Sequence, residues 1–249
     1  MQNTYIPKFT YIIPFRYSQT RIIALRRIID WLSGFQGAEV LVIEQDTHSK
    51  ISHLNLRAIH IFLESDAPFN KSWAYNVAIR RCISPVMIFG NADTFMNPME
   101  LIESLKTLDS CDCILPLSKI IQLNPQESLQ DLNSIFSIDR PEFLLDRNIT
   151  DGISIFKKDT IQKIGGWNED FLGTGYENKF QDLKIKKMLN YKTLNYRGYH
   201  LYHPIQISDP NLDQRNKQIF DFYQNADINK FQEHISTTIP RSGQSNKYQ

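Results

Sequence analysis

The sequence predicts an α/β fold built on a mostly parallel central sheet, and three observations carry that prediction. Short apolar runs suited to buried strands alternate with segments of helical period through the first 115 residues. Such alternation closes as strands laid side by side with right-handed helical crossovers. At 249 residues and 41% hydrophobic, the chain can bury one large α/β core or two small ones.

The elements follow in order. Phe9–Pro14 is a short apolar strand, and 18–33 carries Ile22, Leu25, Ile29 and Leu32 at helical spacing. Glu39–Glu44 reads as a buried strand and Ala58–Leu63 as another. Residues 70–82 form a helix with Trp73 and Val77 on one face and Arg80–Arg81 on another. Val86–Gly90 is a strand; Asn97 then caps a helix whose first position is Pro98. Cys111–Leu115 is a further strand. Residues 119–150 break the pattern: the stretch is polar, aperiodic and carries Pro125 and Pro141, reading either as a loop or as an insert facing a ligand. Beyond it come a strand over 152–156, helices over 159–164 and 177–189, a strand over 193–200 and a helix over 213–223. From about Thr237 the tail TTIPRSGQSNKYQ is polar and reads as disordered.

Composition excludes several classes. Lys+Arg (28) nearly cancels Asp+Glu (27), so no basic surface calls for nucleic acid or an anionic membrane. No run approaches the ~20 apolar residues of a membrane span. The opening MQNTYIPKFTYIIPF is too short and broken to be a signal peptide, which points to a cytosolic protein or one peripheral to a membrane through partners. Cys82, Cys111 and Cys113 then read as free thiols, with Cys111 and Cys113 alternating across a strand, where structural burial is favoured over metal binding.

Four segments can carry chemistry. Asn91-Ala92-Asp93-Thr94 follows VMIFG and sets a carboxylate at the carboxyl end of a strand, where a cation bridging a diphosphate can be held; a helix cap is the plainer alternative. His200 and His203, three apart, can converge on one ion or simply end a strand; with Asp93 they make an N,N,O set suited to Mn²⁺ more than Mg²⁺. The loop 165–178 (GGWNEDFLGTGYEN) holds four glycines that permit close ligand approach, three aromatic rings (Trp167, Phe171, Tyr176) able to stack on sugar faces, and Glu177 opening a helix. Arg16 ends the first strand, where it can grip phosphate.

Taken together and in order, IIPFR (12–16), VIEQD (42–46), FNKSWAYNVAI (69–79), IFGNADTFMNP (88–98), GGWNEDFLGTGYEN (165–178) and HLYH (200–203) resemble the β-1,4-galactosyltransferases and related GT-A enzymes. The loop 165–178 is also similar to that of polypeptide N-acetylgalactosaminyltransferases and chondroitin-type polymerases, and the chain as a whole resembles family 2-like glycosyltransferases. The likeness runs over about 9–220 in collinear order; each motif is weak alone and specific as a set.

The resemblance implies a GT-A, Rossmann-like domain over 1–236, with a nucleotide-binding half at about 9–115 and an acceptor and catalytic half at 151–225. It implies transfer of a hexosyl or N-acetylhexosaminyl group from a UDP-sugar to a polysaccharide or lipid-linked glycan. Phe15, Arg16, Asp46, Phe69 and Lys71 would hold uridine and phosphates, with Pro14, Asn70, Asn76 and Asn91 beside them. Trp167, Gly173, Gly175 and Tyr176 would line the acceptor loop. Asp93, His200 and His203 would ligate Mn²⁺ or Mg²⁺, Glu177 would meet the acceptor hydroxyls, and Asn178 occupies the general-base position.

Three positions depart from the pattern. Asn91 stands for the first acid of Asp-x-Asp, Thr174 for the loop tryptophan, and Asn178 for the base aspartate. An amide accepts no proton usefully at neutral pH. Either Glu177 is the base, or the outcome is retaining, or activity is impaired. A nucleotidyltransferase is the rival enzyme class, although IIPFRYSQTR lacks the glycine its phosphate loop wants. A nucleotide-sugar-binding protein that has lost its base is the non-enzyme alternative.

Overall fold

The computed structural model describes residues 8–136, 150–173, 175–204 and 209–248. Its centre is an eight-stranded sheet in the order β3-β2-β1-β4-β7-β6-β8-β5. The strands are β1 (Phe9–Phe15), β2 (Ala38–Asp46), β3 (Ile59–Glu64), β4 (Val86–Gly90), β5 (Thr94–Met96), β6 (Cys113–Gln122), β7 (Ile153–Lys157) and β8 (Tyr191–His200). The helices are α1 (Gln19–Leu32), α2 (Lys71–Arg81), α3 (Pro98–Thr107), α4 (Leu132–Ile135), α5 (Lys158–Lys163), α6 (Glu177–Met188), α7 (Pro210–Gln224) and α8 (Ile228–Thr238).

The expectation of a mostly parallel sheet needs correction: the sheet is mixed. Strands β1 to β4 run parallel, as does the β6–β8 pair, but β7 lies antiparallel between β4 and β6, and β5 antiparallel to β8. Strand direction is a property of the connections, and an apolar run of five residues reads the same either way. The strand expected over 111–115 extends to Gln122, through residues assigned to the polar excursion. Its pairing with β8 shifts register on both sides of Leu117, next to Pro116, which has no N–H for the ladder.

Helix starts follow their caps. The Ser18 hydroxyl accepts from Arg21 N, the Asn70 side chain from Trp73 N, and the Asn97 side chain from Met99 N ahead of Pro98. Helix α1 buries Leu25, Ile28 and Leu32 against one sheet face, and α2 buries Trp73, Val77 and Ala78 against the other. The three cysteines are free and buried. No described helix is long and apolar enough to cross a membrane.

Residues 237–248 correct the reading of the tail. Residues 237 and 238 close α8, and those after it form turns fixed by long-range bonds: the Trp73 indole donates to Gln244 O (2.7 Å), Asn70 Nδ2 to the Tyr248 hydroxyl (3.0 Å), and Lys247 Nζ to Glu169 Oε2 (2.7 Å). A polar sequence can be ordered where partners on the domain take up its backbone and side-chain groups.

Lys184 of α6 is fully buried, with its ammonium donating to Gly166 O at 2.6 Å. Burial lowers its pKa from the ordinary 10.5 to about 7. An unfolded lysine keeps its proton over that window while the folded one has lost it, so this group makes stability rise with pH between about 7 and 10.5. Lys184→Met is expected to remove that rise and to lift the melting temperature at pH 7 by about 2–8 °C, a net ~1–2 kcal/mol after loss of the hydrogen bond. Thermal melts of both proteins at pH 7 and pH 9.5 check it; parallel pH dependence would refute the assignment.

Candidate metal and donor site

Parallel β1, β2 and β4 all end at one edge of the sheet. The chain leaves β1 toward β2 and β3 and returns to place β4 on the other flank of β1. Loops after β1 and β4 therefore part at a switch point, the position where α/β sheets take ligands. Arg16 stands on one side of that opening and Asn91–Asp93 on the other.

On the β1 side, Arg16 Nε donates to Gln45 O (3.0 Å) and its Nη2 to Ala67 O (2.9 Å). The guanidinium centre lies 5.6 Å from the Phe69 ring centroid. Burial lowers the Arg16 pKa against the opposing pull of Asp46, which puts that carboxylate within electrostatic reach. Gln45 is itself buried and bonds the Asn70 backbone from both ends of its amide, N–H to Oε1 at 3.0 Å and O to Nε2 at 2.6 Å, which fixes the start of α2. Pro14 and Phe15 are core residues of β1.

On the β4 side, Asp93 is 5% exposed. The pairing of β5 with β8 sets Thr94 opposite His200, and Leu201 N donates to Asp93 O at 2.7 Å. Two residues later the chain turns His203 back onto the same carboxylate. Nε2 of His200 lies 3.4 Å from Asp93 Oδ1, and Nε2 of His203 lies 3.3 Å from Oδ2. One ligand atom from each residue falls within 4.8 Å of the others. Burial alone would raise the Asp93 carboxyl, but His200, His203 and Arg21 outweigh it and hold it well below the usual carboxylate range. The Asp93 hydrogen bond raises the His203 imidazole against the effect of burial. A carboxylate oxygen with two imidazole nitrogens fits a first-row divalent ion such as Mn²⁺, leaving coordination positions for phosphate oxygens.

A second cluster sits where α2 meets α6. Lys71 Nζ lies 3.2 Å from Glu177 Oε1 and donates to Asn178 Oδ1 at 2.9 Å. Asn178 Nδ2 donates to Asp151 Oδ1 at 3.1 Å, and Thr150 Oγ1 to Asn178 O at 3.1 Å. Burial raises the Tyr75 hydroxyl far above its ordinary pKa, and the charges of Glu177, Asp151 and Asp93 add to the shift. Sequence reasoning missed Asp151; its only signal was an acid two residues ahead of the buried run ISIF.

The loop aromatics occupy different places from those expected. Trp167 is 2% exposed, packed against Tyr75 and Phe89, and Phe171 is buried against Phe180. Tyr176 packs on Phe220 of α7. Trp167 and Phe171 present no open face to a sugar, while Tyr176 is half-buried. Asn76 is 3% exposed and its amide is taken up by the Trp167 backbone and Glu169. Asn70 caps α2 and bonds Glu169 O. Gly173 N donates to Phe69 O (2.7 Å), joining the loop to the β1 side, while Gly175 is exposed. Asn91 is half-buried and its N–H donates to Gly152 O at 3.2 Å. Thr174 lies outside the described residues.

Solved structures decide the fold family. TarS of S. aureus in complex with UDP-GlcNAc is 14% identical, with 93% of this chain and 70% of that one covered and a TM-score of 0.60. GalNAc-T7 with UDP, GalNAc and Mn²⁺ is 12% identical over 96% of this chain, with a TM-score of 0.62. The fold is GT-A. The catalytic domain of Drosophila β1,4-galactosyltransferase 7, in complex with xylobiose, shares it at 13% identity, covering 87% and 80% of the two chains with a TM-score of 0.53. This GT-A chain spans about half the length of GalNAc-T7 (51%). No protein-family model matches it, and no curated protein does.

Proposed function

We propose that this protein is a metal-dependent glycosyltransferase that moves a hexosyl or N-acetylhexosaminyl group from a UDP-sugar to a hydroxyl on a glycan acceptor. The observation that carries the reading is the meeting of Asp93, His200 and His203 at the switch point of a GT-A sheet. In this reading about 9–115 is the nucleotide-binding half and 151–225 the acceptor and catalytic half. Asp93, His200 and His203 hold Mn²⁺ or Mg²⁺, which when bound supplies positive charge to the leaving diphosphate. Arg16 and Phe69 bracket the nucleotide, and Asp46 lies beside them. Lys71, held between Glu177 and Asn178, brings a cation toward the phosphates while its partners keep it oriented. Glu177 orients the acceptor hydroxyl.

The test is UDP release from a panel of UDP-GlcNAc, UDP-GalNAc, UDP-glucose and UDP-galactose, with Mn²⁺ and with a chelator. Release that needs the metal supports the reading; no release from any donor, with UDP bound, favours a binding protein instead. Glu177→Gln is expected to lower turnover about 10–100-fold, the loss of a charged hydrogen bond worth ~1.5–3 kcal/mol, with UDP affinity unchanged. Steady-state kinetics beside UDP calorimetry check this, and an unaltered rate would remove Glu177 from the chemistry.

A further inference from the structure

We propose that Arg21 is a further donor-binding residue of this site, one that grips the diphosphate of the nucleotide sugar and ties loading of the metal to it. The inference deepens the transferase reading above and rests on it. It begins from the helical pattern of α1. Arg21, Leu25, Ile28 and Leu32 fall at i, i+4, i+7 and i+11, along one face of the helix. Leu25, Ile28 and Leu32 are buried against the sheet. Arg21 heads the same stripe one turn earlier, at a position where an apolar residue is the ordinary choice.

The fold aims that cation at the opening between β1 and β4. Side chains on a helix lean back toward its N-terminus, and α1 starts just beyond β1, at the edge of the sheet where that strand ends. Helix α1 also packs on β5, with the Trp31 and Phe95 rings edge to face at 6.3 Å, and β5 begins directly after Asp93. Beside burial and the two histidines, the Arg21 charge is one of the influences on the Asp93 carboxyl. Beside the Asp93 hydrogen bond and burial, it is one of those on His203. The guanidinium therefore stands within electrostatic reach of two of the three candidate metal ligands. The Arg21 backbone N–H donates to the Ser18 hydroxyl at 3.2 Å, but among the described residues no hydrogen bond or ion pair engages the guanidinium.

Two other cations near the opening are already engaged. Arg16 has Nε and Nη2 on the carbonyls of Gln45 and Ala67, and Lys71 lies against Glu177 and Asn178. Arg21 stands in the first turn of α1, which holds no acid and where the helix dipole favours an anion over a cation. A half-buried guanidinium that shares one carboxylate with two imidazoles is short of negative charge. A diphosphate supplies that charge, with oxygens that match the guanidinium fork. The same cation opposes a divalent ion on Asp93, His200 and His203 until the diphosphate lies between the two. Metal and nucleotide then bind with positive coupling.

The test is calorimetry of UDP in Mn²⁺ and of Mn²⁺ alone, with uridine titrated by NMR, on wild type, Arg21→Met and Arg21→Lys. UDP release from the donor panel and melting temperature are taken alongside. Methionine continues the apolar stripe of α1, so Arg21→Met is expected to melt no lower than wild type. It should bind UDP in Mn²⁺ about 10–100-fold more weakly, uridine within about threefold of wild type, and Mn²⁺ alone about two- to tenfold more tightly. Arg21→Lys keeps the charge and loses the fork, and should bind UDP at least about threefold better than the methionine variant. UDP affinity of Arg21→Met within threefold of wild type overturns the proposal, as does a lysine variant that binds UDP no better than the methionine one. Weaker binding of Mn²⁺ alone to Arg21→Met overturns it too, since a residue that merely shapes the site would lower both affinities together. A wild-type protein that binds UDP but releases it from no donor overturns the transferase reading, a separate result that leaves the UDP and Mn²⁺ affinities to decide the role of Arg21.

Discussion

Asp93→Ala is expected to lower metal-dependent UDP release by on the order of 10³-fold or more, and His203→Ala to do nearly the same. A bound divalent ion contributes several kcal/mol to the charge developing on a leaving diphosphate, and each ~1.4 kcal/mol is tenfold in rate. Asp93 supplies the one carboxylate of the three-residue set, and its two oxygens face the two imidazoles at 3.4 and 3.3 Å. Removing it leaves two neutral donors with no anion between them. Removing His203 leaves Asp93 and His200, which are tied by the β5–β8 ladder and stay in place. Two controls separate lost metal from lost fold. Melting temperatures should be within a few degrees of wild type. Mn²⁺ titrated by calorimetry should bind far more weakly to both variants. Wild-type turnover of either variant in the presence of chelator would end the metal assignment.

Why this convergence was visible as residue types but not as geometry is instructive. The strands β1, β2 and β4 are contiguous apolar runs, and α2 and α3 have a capping asparagine each, so local physics fixes both. The contact that brings His200 to Asp93 depends on β5, three residues long, and on a β6 that runs past Pro116 into Ser118, Lys119 and Gln122. No window of sequence that short or that polar reads as a strand. The direction of β7 was hidden for a related reason, since antiparallel pairing is set by the chain path between β6 and β7. The glycine-rich loop reads as a ligand platform from its density of glycines, rings and acids. Their partners, Tyr75 and Phe89 for Trp167 and Phe220 for Tyr176, sit on separate elements, and only tertiary packing connects them. The tail misled in the opposite sense: its polarity is matched group by group by Trp73, Asn70 and Glu169.

Gly166→Ala is expected to cost several kcal/mol of stability. Gly166 has φ +63°, the left-handed region in which a side chain costs roughly 1–2 kcal/mol. A Cβ there would also collide with Asn76 Oδ1 and reach 3.4 Å from Ile79 Cδ1. Asn76 cannot step aside cheaply. Its Oδ1 accepts from Trp167 N at 2.8 Å, and its Nδ2 donates to Trp167 O at 2.7 Å and to Glu169 Oε1 at 2.8 Å, all at 3% exposure. Moving it leaves buried polar groups unmatched at ~1–3 kcal/mol apiece. The sum, about 3–5 kcal/mol, corresponds to a melting temperature lower by roughly 6–20 °C for a chain of this size. The damage should spread to function, because Glu169 also anchors Lys247 and the same loop leads on to Glu177. Thermal melts of wild type, Gly166→Ala, Asn76→Ala and the double variant check the mechanism. Asn76→Ala removes the collision, so the double variant should lose less than the sum of the two single losses. Strict additivity, or a Gly166→Ala melt within about 2 °C of wild type, would show that the loop is not clasped through Asn76 at all.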